Sequence, residues 1–230
     1  MGYIKKTDRN KAWAKKTTYK RSEIIIKSIK NIFLIYCEGS NTEPVYFKSF
    51  PVDSETQVEV VGVGRSRTSL VEHIIDLAKE KELLKGQKHY DEDRQIWCVF
   101  DKDSKGIEGE DEDFNNSIKL ARDNGLRVAY SNDSFELWLI LHDKYLDVQQ
   151  TRKEYYDYLS EKFGIKYEEI GKTKEFAKSL YQIYLRTQPS AIRSAKKLHD
   201  TYFHEPSSSK HFPCTTVYLL IEELNKCLKS

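Results

Sequence analysis

Four short apolar runs punctuate the first 130 residues: NIFLIYC (31–37), VEVVGVG (58–64), QIWCVF (95–100) and LRVAY (126–130). Each has strand length and is bounded by polar or glycine-containing stretches, so each predicts a β-strand. Between them the apolar positions change to helical spacing. Thr42 can cap a short helix carrying Pro44 in its first turn, with Val45, Phe47 and Phe50 as its apolar contacts. Ser69 and Glu72 have capping-box spacing ahead of Leu70, Val71, Ile74, Ile75 and Ala78. A helix over 112–124 sets Phe114, Ile118 and Ala121 on one face and stops at Gly125. SFELWLILH, at 134–142, reads as a further helix.

Strands alternating with helices of ten or more residues need crossover connections, hence a largely parallel sheet. From about residue 143 the strand signals fade. Thr151 and Glu154 form another capping box, with Gly164 as the stop. Helical patterns follow near 173–186, 190–202 and 215–229, interrupted by HEPSSSKHFP at 204–213. The expected class is α/β, a mostly parallel sheet flanked by helices. Residues 1–30 form an N-terminal arm, 31–142 the core and 143–230 a helical extension packed on it.

Charge adds one feature. The formal net charge is only +2, so affinity for a polyanion must come from local clustering. Residues 1–22 carry Lys5, Lys6, Arg9, Lys11, Lys15, Lys16, Lys20 and Arg21 against Asp8 alone. That arm suits nucleic acid phosphates, and a solubilising tail would read the same. No apolar run approaches the ~20 residues of a membrane span, and no signal-peptide core follows the basic arm. Cys37 and Cys98 fall inside expected strands, and no Cys-x-x-Cys spacing occurs. The cysteines therefore read as free thiols of a cytoplasmic protein. The histidines are scattered, none is paired with a nearby cysteine, and no zinc site is expected.

The chemistry lies at the strand ends. The first strand runs into Glu38-Gly39 and the third into VFDKD, which places Asp101 and Asp103 one residue apart. Ligands of parallel α/β sheets gather at the carboxyl ends of strands. Two side chains two apart on an extended chain point the same way, so both aspartates are expected on one side. Three carboxylates at one sheet edge suit a hard divalent cation with oxygen ligands, which polarises phosphoryl groups and activates water. An Asp-x-Asp turn or capping pair is the plain alternative. GVGRSRTS (62–69) lacks the Gly-Lys-Ser/Thr ending of a phosphate loop. Arg65 and Arg67 there read as solvated turn residues or as phosphate contacts at a helix start. Arg193, Lys196 and Lys197 share one helical face, another possible phosphate-binding stripe.

YCEGSNTEPVYF followed by VFDKDS resembles the glutamate and aspartate motifs of the Toprim fold. SNDSFELWLILH (131–142), AIRSAKKL (191–198) and TTVYLLIEEL (215–224) are similar to the RloB family in particular. The similarity runs from about residue 31 to the C-terminus. The resemblance implies a bacterial protein of phage defence, encoded beside an ATPase partner, and a metal-dependent nuclease related to the overcoming-lysogenization-defect enzymes. It implies Glu38 as metal ligand or general base, Asp101 and Asp103 as ligands of Mg2+ (or Mn2+), and Glu43 as a second glutamate. Glu136 and His142 match its third motif. Asp133 stands where the family commonly has proline, Asp143 where it has an aromatic, and FPCTT where it has Asn-Pro-x-Thr.

Each matched residue also has a local reading. Glu43 suits the first turn of a helix through the dipole. Glu136, inside an apolar run, needs a partner if buried. His142 lies about 120° around an ideal helix from Glu136 and could simply stabilise a helix end. The expected activity is magnesium-dependent phosphodiester hydrolysis of RNA, such as a transfer RNA, or of DNA. In it Lys102 or Lys105 would stabilise the leaving oxygen. The alternatives are a non-catalytic nucleic-acid-binding or regulatory module, and a small-substrate phosphohydrolase.

Overall fold

The computed structural model describes residues 28–229; the expected basic arm lies outside the described residues through residue 27. Five strands form one sheet in the order β2-β1-β3-β4-β5. They are β1 Asn31–Cys37, β2 Thr56–Gly62, β3 Arg94–Asp101, β4 Arg127–Asn132 and β5 Cys214–Thr215. β1 lies parallel between β2 and β3, and β4 runs parallel to β3. Only β5 is antiparallel, on the outer edge of β4. The helices are α1 Thr42–Lys48, α2 Arg67–Glu80, α3 Glu110–Asp123, α4 Glu136–Leu141, α5 Arg152–Phe163, α6 Lys174–Tyr184, α7 Gln188–Asp200 and α8 Val217–Asn225.

Strand alternation sorts the core into two layers. Phe33, Ile35, Cys37, Val60, Trp97, Val99 and Ala129 face a large cluster with α1 and α4 to α8. Tyr36, Ile96, Cys98, Phe100, Val128 and Tyr130 face a second cluster with α2 and α3. Both faces are thus covered, as a parallel sheet requires. Each buried aliphatic of α2, such as Leu70 or Ile74, contributes about 1.5–3 kcal/mol. Cys37, Cys98, Cys214 and Cys227 are buried free thiols.

Several local expectations are corrected. The Ser69–Glu72 capping box does not form; α2 starts three residues earlier, after Ser66, and Ser66 makes no side-chain cap bond. Arg67 and Thr68 are drawn into the helix by their bonds to Asp113 of α3. Thr42 is the first residue of α1, and the cap position falls on Asn41. β4 extends to Asn132, so only Glu136–Leu141 of the SFELWLILH segment is helical. Residues beyond 143 contribute β5 as well as helices; a strand of two residues leaves no hydrophobic period to read. The Thr151–Glu154 capping box is present, and Gly164 ends α5 in the left-handed conformation.

Candidate functional site

Parallel pairing brings the carboxyl ends of β1, β3 and β4 to one edge. Glu38 there continues the ladder, its N–H bonding Val99 O at 2.8 Å. Its Oε2 accepts from the Asp101 backbone N–H at 3.3 Å, so the glutamate reaches across to the neighbouring strand end. Asp101 accepts from Phe135 N–H at 3.1 Å, which ties it to the turn before α4.

Asp103 reaches the same place by a different route from the one expected. β3 ends at Asp101, and Asp103 adopts φ 52°, a left-handed conformation that aspartate tolerates better than most residues. The extended-chain reasoning for its direction therefore fails. The intervening Lys102 points into the protein, its Nζ 2.7 Å from Asp111 and 3.3 Å from Ser209 O.

Glu38, Glu43, Asp101 and Asp103 line one cleft of about 260 Å3, together with residues 39–42, Arg152 and Lys172. Glu43 is in the first turn of α1 and Glu136 in the first turn of α4. The two helices are joined by Trp138 Nε1 donating to Tyr46 Oη at 3.1 Å and by edge-to-face packing of Tyr46 on Phe135. Gly39 leaves the room Glu43 needs: a Cβ there would lie 2.5 Å from Oε2 and 2.8 Å from Oε1. Gly62 does the same for the loop itself, since a Cβ would lie 2.7 Å from Gly39 O.

The acids are charged at a cost. Burial raises the carboxyl of Glu38, with Asp103 adding to the effect and the Asp101 N–H opposing it. Burial, then Glu136 and Glu38, push Glu43 up to about 7, while its own backbone N–H and Lys172 oppose the rise. Asp101 stands well above the usual aspartate range through burial and the nearby Glu43 and Glu136. Glu136 is only 3% exposed and lies 3.5 Å from Lys172 Nζ.

Two cations answer this field, and neither was picked out from the sequence. Arg152 pairs with Asp103 and lies 3.6 Å from Asp133. Burial works against its charge, and Asp101, Asp103 and Asp133 raise it above its ordinary value. Its Nε and Nη2 are buried without a hydrogen-bond partner. Lys172, which follows a single π-turn at Tyr167–Gly171, is raised by Glu136 against its own burial. Arg152 left one trace in the sequence: a cation just after the Thr151 cap stands where the helix dipole disfavours it. Lys172 left none.

The remaining expected residues lie elsewhere or serve the protein. His142 is buried between Trp138 and Tyr184. Its Nδ1 meets Thr187 Oγ1 at 3.0 Å, and burial, then Lys162, lower it to about 3. It is a neutral core imidazole outside the cleft lining. Arg67 binds Asp113 and the Lys102 carbonyl, which corrects its reading as a solvated turn residue. Arg65 is exposed. Lys105 stays at the mouth, 3.4 Å from Asp103. On α7, Lys196 pairs with Glu222 at 2.6 Å, Arg193 bonds Ser190, and Lys197 lies over the Tyr145 ring.

A larger groove of about 870 Å3 runs past Trp97, Leu126, Pro189 and Ile192. Its acids Glu222 and Glu223 are held by Lys196 and Lys226, so size does not make it the reactive site. The expectation that no histidine meets a cysteine is also corrected: His199, His211 and Cys214 come together behind β4.

The carboxylate cleft suits a hard divalent cation by its donor set. Its carboxylates outnumber its cations, and three of them are raised by burial and mutual repulsion. Among the described residues the acids do not close to the mutual 4.8 Å of a compact three-ligand set. Magnesium keeps several waters and needs only one or two protein carboxylates, so an open set fits it.

The chain matches the model of the RloB-like protein family over residues 33–224. It belongs to the RloB-like family. No curated protein and no solved structure matches it significantly. The matched span of this RloB-like chain contains Glu38, Glu43, Asp101, Asp103 and Glu136, with Arg152 and Lys172, and no helix among the described residues is long and apolar enough to cross a membrane.

Proposed function

We propose that this RloB-like chain is a divalent-metal-dependent nuclease that hydrolyses phosphodiesters of RNA or DNA, as the effector of a bacterial defence system with an ATPase partner. The observation that carries the reading is the meeting of Glu38, Asp101 and Asp103 in one cleft, from two adjacent parallel strands. Glu38, Asp101 and Asp103 would hold Mg2+ or Mn2+, with Glu43 completing the set. When bound, the ion supplies Lewis-acid polarisation of a phosphoryl group and a water of lowered pKa.

The other residues divide the remaining work. Glu43, pushed up to about 7 in the metal-free cleft, can accept or release a proton near neutral pH whenever it is not bound to the ion. Arg152 has buried Nε and Nη2 donors without a hydrogen-bond partner, and its guanidinium fork, once drawn from Asp103, matches phosphate oxygens. Lys172 pairs with Glu136 behind the cleft, and Lys105 at the mouth can meet a flanking phosphate.

The test is cleavage of total RNA and of plasmid DNA with Mg2+ or Mn2+, with and without the neighbouring ATPase. Glu38→Ala and Asp101→Ala should each abolish it. Undiminished cleavage in both variants would refute the assignment. Tight binding of nucleic acid with no cleavage under any metal would favour a regulatory module.

A further inference from the structure

We propose that His199, His211 and Cys214 form a second metal site, for a d-block divalent cation of the zinc class, distinct from the carboxylate cleft. One ring nitrogen of each histidine and Sγ of Cys214 all lie within 4.8 Å of one another. They come from three segments: the last turn of α7, the loop after it, and β5. Imidazole and thiolate are the ligands zinc selects, whereas the cleft offers only the carboxylates that harder ions take.

The surrounding bonds already orient these rings as metal ligands. His211 Nε2–H donates to the Glu205 carbonyl at 2.7 Å, so its lone pair is on Nδ1. His199 Nδ1 meets Tyr218 Oη at 2.9 Å; in the tautomer whose Nδ1–H donates to that hydroxyl, Nε2 is left for a metal. A ring nitrogen held by a carbonyl or hydroxyl while the other faces the ion is the usual arrangement around bound metals. Tyr202 stacks on His211 at 5.0 Å and 15° and fixes its plane. Tyr130 Oη lies 3.0 Å from His211 Nδ1. On binding, that hydroxyl gives up its bond to Nδ1, the Cys214 thiol releases its proton to solvent, and a water or the phenol takes the fourth position.

The ion would act as a clamp. The loop between His199 and Cys214 carries Ser209, whose carbonyl accepts from Lys102 Nζ at 3.3 Å and Asn132 Nδ2 at 3.0 Å. Its N–H donates to Asn115 Oδ1 at 2.9 Å. Metal at the cluster would pin this loop, and with it Lys102, the residue between the two cleft aspartates. The proposal stands independently of any nuclease activity.

Cobalt titration of the full-length chain, stripped of metal, tests it. Equimolar Co2+ should produce a thiolate-to-cobalt charge-transfer band and tetrahedral visible bands, erased by equimolar Zn2+ and untouched by excess Mg2+. Cys214→Ser should abolish the charge-transfer band and Cys227→Ser should leave it. Tyr218→Phe should weaken binding about tenfold. Wild type that is folded by circular dichroism yet gives no such band overturns the proposal, whatever the variants do; so does a band that persists in Cys214→Ser.

Discussion

Replacing Glu43 by glutamine should make the metal-free protein more stable. Glu43 is held at about 7 against an ordinary 4.5. At about 1.4 kcal/mol per tenfold, its ionised form costs the fold about 3 kcal/mol. Between those two values the folded chain keeps a proton that the unfolded chain has released. Stability therefore falls as pH rises through the window and is level above it. Glutamine has the shape of the protonated acid without its charge, so the whole cost disappears at pH 8. For a chain of this size about 3 kcal/mol corresponds to roughly 6–12 °C in Tm.

The assay is thermal and urea denaturation of wild type and Glu43→Gln in EDTA at pH 8 and again near pH 4.5. The variant should lead by several degrees at pH 8, and the gap should close on acidification as wild type takes up its proton. Magnesium should then narrow the gap: an ion present at a hundred times its Kd stabilises its binder by about 2.7 kcal/mol, and the variant forgoes part of that. A variant no more stable than wild type at pH 8, or a gap that persists near pH 4.5, refutes the electrostatic reading of the cleft. Equal stabilisation of both proteins by magnesium refutes Glu43 as a ligand.

Gly39→Ala places a Cβ 2.5 Å from Glu43 Oε2; displacing that carboxylate should lower cleavage about 100-fold while circular dichroism stays unchanged, and wild-type rates would dismiss the steric role. His142, neutral down to about pH 3, must stay unprotonated while its unfolded counterpart charges below about 6.5. The fold should lose about 2 kcal/mol between pH 6.5 and 5 on this account. In His142→Gln that His-specific part of the acid slope should vanish in urea melts, and an unchanged slope would rule it out. Arg152→Ala leaves Asp101, Asp103 and Asp133 without their guanidinium and should cost about 1–3 kcal/mol in EDTA, along with nucleic-acid affinity. Arg152→Lys should recover stability more than affinity, since the ammonium lacks the planar fork; equal recovery of both would argue against phosphate binding there.

Legibility followed the range of the interaction. Strands β3 and β4 were readable because each buries a continuous run, β1 and the edge strand β2 because short valine-, isoleucine- or aromatic-rich runs have strand length, and the acids at the strand ends because a parallel sheet gathers those ends. Glu43 and Glu136 were flagged by motif and by an acid standing inside an apolar run. Asp103 was placed on the correct side for the wrong reason, since a left-handed residue cannot be foreseen from alternation. Arg152, at the start of α5, and Lys172, in the turn before α6, arrive from far along the chain, and their partners are fixed only by tertiary packing. The same holds for His199, which meets His211 and Cys214 through the return of the chain along β5. Their spacing, His211-x-x-Cys214, was visible, but nothing local showed what completed it.

The two cations also bear on how the cleft would take a metal. Without one, Arg152 bridges Asp103 and Asp133, and Lys172 faces Glu136, so part of the acidic charge is already answered by the protein. A divalent ion must therefore compete with Arg152 for Asp103, while Glu38, Glu43 and Asp101 have no comparably close cation of their own among the described residues. Those three acids are also the ones whose carboxyls are raised, which is where bringing in positive charge recovers the most free energy. The ion should accordingly be drawn toward Glu38, Glu43 and Asp101. In taking Asp103 as well, the ion would release Arg152, whose guanidinium fork could then turn to a phosphate. One end of the cleft then attracts the metal and the other the substrate anion, an asymmetry that three equivalent ligands at a sheet edge would not provide.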